Sequence, residues 1–140
     1  MLSASRALVA VSARSVAAAP DVTLAQFRML VVLEAGPSNL GGLAASLDVA
    51  ASTAVRMVDR LVAAGLVERG VVPTNRRESR LALTAAGRRT VSTVTARRRR
   101  DLAAVLERIP HRQQTELAAA MTSFAAAAES LWPGITPPAP

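Results

Sequence analysis

Residues 38–69 read SNLGGLAASLDVAASTAVRMVDRLVAAGLVER, and the fold turns on how that stretch divides. Ser38-Asn39 is a helix start signal, and Leu40, Leu43, Ala44 and Leu47 follow at the spacing of one apolar helical face. A break at Asp48 to Ala51 separates this short helix from a second, predicted from about Ser52 to Ala64 and closed by Gly65. On a wheel at ~100° per residue, Ala54, Val58, Leu61 and Val62 share one side, and Ser52, Arg56, Arg60 and Ala63 share the other. Two helices joined by a few residues, the second with a polar face at its start, read as a helix-turn-helix.

Working outward, Thr23 caps a helix from about Leu24 to Ala35 that Gly36-Pro37 ends, with Leu24, Phe27, Leu30 and Val31 as its face. On the other side come Leu66 to Val72, the turn Pro73-Thr74-Asn75, a polar stretch to Ser79, and Arg80-Leu81-Ala82-Leu83 in alternation. This pattern predicts a β-hairpin with a basic tip. Thr84 then caps a long helix to about Ile109, where Pro110 forces a break. A last helix, His111 to about Trp132, carries Leu117, Met121, Phe124, Ala128 and Leu131 on one stripe.

The N-terminal stretch needs separate treatment. Arg6, Arg14, four Ser and no acid give residues 1–20 the composition of a targeting peptide, but the apolar run Ala7 to Val11 is short for one. Leu2, Val9 and Val16 recur at heptad spacing with Leu8 and Val11 beside them, so the expectation is a structural helix at about 3–18. Residues 133–140 hold four Pro and one Gly and are expected to be a disordered tail. The expected architecture is mainly α with a small β-hairpin wing. It is a single domain over 1–132, with a winged-helix lobe at about 22–84 and N- and C-terminal helices at about 3–18, 85–109 and 111–132, to which the family resemblance given below assigns dimerisation.

Composition narrows the function. The chain has 140 residues, 51% of them hydrophobic, enough for one compact domain but not for a catalytic module beside a binding one. Phe27, Phe124 and Trp132 are its only aromatic residues, so Ala, Val and Leu must build thin, closely packed helical interfaces that gain from a partner subunit. Seventeen basic residues against ten acidic ones give a net charge of +7, which favours a densely anionic partner. All seventeen are Arg; the guanidinium fork suits phosphate, although codon bias in a GC-rich genome accounts for the choice as well. The absence of Cys excludes thiolate metal sites and thiol redox sensing, and the single His111 cannot form a His cluster. No apolar run approaches the ~20 residues needed to span a bilayer. No nucleophile with its base, metal set or phosphate-binding glycine loop is visible, so neither an enzyme nor a cofactor is expected.

Several runs together resemble the MarR family of winged helix-turn-helix transcriptional regulators. They are Leu24 to Leu30, Leu43-Ala44, Ser52 to Arg69, Asn75-Arg76-Arg77 and Leu83-Thr84-Ala-Ala-Gly87-Arg88, and together they span about 22–90. The resemblance implies a cytoplasmic bacterial homodimer whose first, fifth and sixth helices interlock. It also implies two lobes reading a pseudo-palindromic operator in double-stranded DNA, repression as the usual outcome, and release by a small phenolic or otherwise amphipathic effector.

Within that frame, Arg56 is the candidate for bidentate contact with guanine, and Ser52 and Thr53 for donation to phosphate or base. Arg60, one turn on, is the candidate for phosphate, and Arg76 and Arg77 for the minor groove, with Arg77 matching the family's wing-tip arginine. Two departures stand out. Asn75 replaces the acid of the family's wing motif, which predicts a looser wing, and Ala50 and Val55 replace hydroxyl residues, which thins base readout. An architectural or protein-interaction module with weak sequence preference is the alternative. Arg97 to Arg100 span a full helical turn and are expected to be a solvated turn partly offset by Asp101, with anion binding between lobes as the other reading.

Overall fold

A computed structural model describes residues 1–72 and 75–133 of the chain, and the side chains of all of these except 72 and 75–78. Six helices and one hairpin follow in the order α1 (Leu2–Val16), α2 (Leu24–Glu34), α3 (Leu40–Leu47), α4 (Ala51–Ala63), β1 (Val67–Val72), β2 (Asn75–Leu83), α5 (Ala85–Leu106) and α6 (His111–Leu131). No helix among the described residues is long and apolar enough to cross a membrane.

Local chemistry sets the boundaries. Thr23 forms a complete capping box: its hydroxyl accepts from the Gln26 N–H at 3.2 Å, and its own N–H donates to Gln26 Oε1 at 2.9 Å. The Gly42 N–H donates to Asn39 Oδ1 at 2.7 Å, and the Gly87 N–H to Thr84 Oγ1 at 3.0 Å. Each such cap is worth about 1 kcal/mol. Gly65, at φ 71, takes the left-handed conformation that turns the chain from α4 into β1. Between α5 and α6 the Gln114 amide donates to the carbonyls of both Leu106 and Ile109, at 2.9 and 2.8 Å, and satisfies the end of α5 before Pro110.

The core lies where α2, α3, α4 and the hairpin meet the first half of α5. Phe27, Met29, Leu30, Leu43, Val58, Leu61, Leu81, Val91 and Val94 are all sealed from solvent. In α2 the buried set is wider than the predicted face: Met29 and Leu33 are buried, while Leu24 stays at the surface. The helix keeps an open side at Leu24, Ala25 and Arg28, and turns Gln26, Met29, Leu30 and Leu33 toward its neighbours α3, α5 and β2. Gly87 lets the start of α5 sit against the α4–β1 turn, since a Cβ there would fall 2.1 Å from the Leu66 carbonyl oxygen. Thr84 closes the same seam by donating its hydroxyl to the Gly65 carbonyl at 2.6 Å.

The terminal helices α1 and α6 stand largely apart from this core. In α1 only Ser15 and Val16 are buried, and Leu2, Leu8 and Val9 are exposed. Ser15 donates to the Val11 carbonyl at 2.7 Å and to Asp101 Oδ2 at 3.4 Å. Asp101 also accepts both contacts from Arg97 Nε, at 3.1 and 3.2 Å. This cluster fastens α1 to α5. The arginine turn is therefore not uniformly solvated: Arg97 is paired, and the Arg98 guanidinium lies 5.6 Å from the Phe27 ring centroid. Burial holds Arg98 below its ordinary pKa. Arg99 and Arg100 are exposed, as expected. No residue of α6 is buried, and its stripe leaves Met121, Phe124 and Leu131 exposed.

Two expectations change. The second strand begins at Asn75 rather than after Ser79, because the register Val67↔Leu83 to Val71↔Ser79 is continued past a bulge by Val72↔Asn75. The last helical turn of α5 also closes at Leu106, with 107–109 forming the turn into Pro110. Residues 134–140 of the expected tail, and Pro73 and Thr74 of the hairpin tip, lie outside the described residues.

Candidate nucleic-acid interface

The turn between α3 and α4 is held by Asp48, at φ 52 and ψ 52, whose N–H reaches the carbonyls of Ala44 and Ala45. The Val49 N–H follows, donating to the Ala44 carbonyl at 3.0 Å. This hydrogen-bonded corner fixes the angle at which α4 leaves α3. Ala50 is the N-cap of α4 and has no side-chain oxygen, so the start of this helix lacks the cap that α2, α3 and α5 possess.

Burial divides α4 as the wheel predicted. Ala54, Val58 and Leu61 are sealed in the core, and Ser52, Arg56 and Arg60 face solvent at intervals of four residues. Thr53 is half-buried, and its hydroxyl accepts from Arg56 Nη2 at 3.5 Å, a long contact that leans the guanidinium toward the start of the helix. Among the described residues no carboxylate lies within ion-pair distance of Arg56 or Arg60. Val55, 36% exposed, presents an isopropyl group on the same open side.

The hairpin is fixed to the helix-turn-helix in two places. The N–H and C=O of Ser38, just before α3, exchange hydrogen bonds with Leu81 of β2 at 3.0 and 2.7 Å, so a third short segment joins the sheet. Arg69 of β1 makes an ion pair with Asp59 of α4, both side chains about half exposed. The looser wing expected from Asn75 is thus opposed by a tie that the sequence reading did not identify. Asp59 and Arg69 are ten residues apart on two different elements, and only the approach of β1 to α4 brings them together. The pair also offsets the one acid on the exposed side of α4, leaving Arg56 and Arg60 as the charges presented there.

Of the residues expected to contact DNA, the structure brings Ser52, Thr53, Arg56 and Arg60 onto one helix. Asn75, Arg76 and Arg77 lie on the first part of β2, and their side chains are outside the described residues. Among the described residues no group of His, Cys, Asp and Glu is arranged to hold a metal ion.

Comparison with known proteins agrees with this geometry. Residues 21–78 match the model of the MarR family. The chain is similar to the crystal structure of RV1404 from Mycobacterium tuberculosis, with 46% identity, a TM-score of 0.83, and coverage of 90% of this chain and 88% of that one. It is also similar to the transcriptional regulator Tm0710 from Thermotoga maritima, at 27% identity, a TM-score of 0.71 and 92% coverage of each chain. Wild-type MarR from E. coli in its apo form shares the fold at 24% identity, a TM-score of 0.76, and coverage of 86% of this chain and 89% of that one. No curated protein sequence matches the chain.

Proposed function

Since this chain belongs to the MarR family of winged-helix regulators, we propose that it is a homodimeric, sequence-specific repressor of its own or neighbouring genes, released by a small phenolic or amphipathic effector. The observation that carries the DNA-binding part is the two-faced α4. Its buried face locks the helix to the lobe, while Ser52, Arg56 and Arg60 project without a competing acid. Arg56 reads guanine through O6 and N7, Ser52 and Thr53 donate to phosphate or base edge, and Arg60 pairs with phosphate. Asn75, Arg76 and Arg77 belong to the wing and follow the adjacent minor groove. Val55 supplies an apolar contact of the kind that suits a thymine methyl.

The homodimer is supported by α6, a helix of 21 residues that its own chain leaves without one buried residue. Phe124 at 61% and Trp132 at 60% exposure, and Leu2, Leu8 and Val9 of α1, leave apolar side chains for a second copy to cover. Two-fold symmetry then sets the recognition helices roughly 34 Å apart on one face of the duplex. A dimer covering that span obstructs transcription, which is why repression is the reading adopted.

The test is to select bound fragments from the source genome and measure one of them against random DNA at moderate salt. A strong preference for a short palindrome is expected, and equal affinity for both would instead establish the architectural module. Arg56→Ala is expected to lose about 1–3 kcal/mol of discrimination at one base pair. Arg60→Ala should weaken all sequences alike and reduce the salt slope by about one.

A further inference from the structure

The open side of α4 consists of two neighbouring rows of side chains that differ in chemistry. Residues four apart on a helix form one ridge. Ala51, Val55 and Asp59 therefore make one row, and Ser52, Arg56 and Arg60 the next, all six of them exposed. The second row is polar throughout and holds Arg56, the guanine reader of the proposed function. The first row carries only a methyl and an isopropyl group before it reaches Asp59.

Asp59 does not change that character. A carboxylate on a recognition helix can accept from the N4 amino group of cytosine, but this one is engaged by Arg69 of the wing. What the first row offers to a base edge is therefore apolar carbon. Its complement in the major groove is the methyl group on C5 of a pyrimidine, the one apolar feature that a base pair displays there.

The helix also sets where that methyl lies relative to guanine. Val55 and Arg56 are consecutive, about 100° apart around the axis and ~1.5 Å apart along it, so they meet neighbouring base pairs. Arg56 Nη2 lies 3.5 Å from Thr53 Oγ1, which turns the guanidinium toward the end of α4 that enters the groove. We infer that α4 reads a 5-methylpyrimidine-guanine step and that the protein is thereby a reader of cytosine methylation. Arg56 takes O6 and N7 of the guanine, and the methyl of the base immediately 5′ to it is held between the guanidinium plane and Val55. Thymine-guanine and 5-methylcytosine-guanine present the same methyl beside the same guanine, whereas unmethylated cytosine-guanine lacks it. This inference rests on the DNA-binding function proposed above and narrows it to a dinucleotide, so that occupancy follows the methylation state of a site as well as its sequence.

Fluorescence anisotropy of the full chain on a duplex selected from the source genome tests the assignment. Thymines are replaced one at a time by deoxyuridine, which removes a methyl and no hydrogen-bonding group. The sensitive thymine in each half-site should stand directly 5′ of the guanine whose contribution Arg56→Ala abolishes. Loss of one buried methyl should weaken binding about fourfold, and about fifteenfold when both half-sites are changed. Cytosine at that position should match deoxyuridine, and 5-methylcytosine should match thymine. Val55→Ala puts a better helix former at an exposed position, so the fold is retained, and the preference for the methyl should fall below about twofold. Indifference to deoxyuridine at every thymine, a sensitive thymine away from the Arg56-dependent guanine, or an undiminished preference in Val55→Ala would overturn the methyl reading and leave sequence-specific binding in place. Equal affinity for selected and random duplexes would overturn the proposed function, and this inference with it.

Discussion

Replacing Gly87 with alanine sets two physical effects against each other. Gly87 is inside α5, where alanine is favoured over glycine by about 1 kcal/mol, so propensity alone predicts a more stable protein. The packing predicts the reverse. A Cβ at this position would stand 2.1 Å from the Leu66 carbonyl oxygen, 3.1 Å from its carbon and 3.2 Å from Leu83 Cδ2. Ordinary contact needs roughly 3.5 Å, so the start of α5 must retreat from backbone by more than about 1 Å. That retreat strains the bond from the Thr84 N–H to the same Leu66 carbonyl, 3.1 Å long, and the 2.6 Å bond from the Thr84 hydroxyl to Gly65. Overpacking costs about 1–3 kcal/mol, and weakening the two hydrogen bonds without breaking them about 1 kcal/mol together. Net of the propensity gain, Gly87→Ala should destabilise the fold by about 1–3 kcal/mol. With about 4 °C per kcal/mol at this chain length, thermal unfolding followed by circular dichroism at fixed protein concentration should fall by roughly 4–12 °C. Gly70→Ala is the control, because its nearest neighbour, the Arg80 carbonyl oxygen, is 3.8 Å away. A Gly87→Ala protein that melts at or above the wild-type temperature would refute the argument.

Other perturbations probe separate parts of the molecule. Ala50→Ser supplies the missing cap of α4 and should raise stability by about 1 kcal/mol, seen as a higher urea midpoint at unchanged slope. Leu43→Ala, fully buried, should cost about 2–5 kcal/mol, and a loss under 1 kcal/mol would mean that α3 is not packed as described. Because Asp59 and Arg69 are about half exposed, a double-mutant cycle with alanine at both should give a coupling below about 1 kcal/mol in unfolding. Arg69→Ala alone should nonetheless weaken DNA binding, and unchanged affinity would dismiss the wing tie. Phe124→Glu, at an exposed position, should leave helix content intact but yield monomers in sedimentation analysis; a persistent dimer would place the subunit contact elsewhere.

The parts legible in the sequence were those governed by local chemistry. Thr23, Asn39 and Thr84 cap helices because a short hydroxyl or amide can reach a backbone N–H three residues on, and that geometry is local. The two faces of α4 were legible for the same reason, since one face is polar and the other is apolar over several turns. In α2 the predicted stripe was displaced, because the buried one runs through Gln26, Met29, Leu30 and Leu33, and a buried Gln is invisible to an apolar pattern. Non-local pairings were out of reach: Asp59 with Arg69, Arg98 over Phe27, and Ser15 with Asp101 depend on how separate elements approach.

The Gln114 clamp has a consequence for how the protein is made. By tying the α5–α6 elbow to the carbonyls of Leu106 and Ile109, it commits α6 to a direction in which its own chain buries none of it. In the proposed homodimer, completing the fold is then a reaction between two molecules. Its rate rises with concentration, and its melting temperature depends on the amount present. On that proposal a newly synthesised chain matures only after meeting another, so the abundance of the protein is itself a condition of its folding.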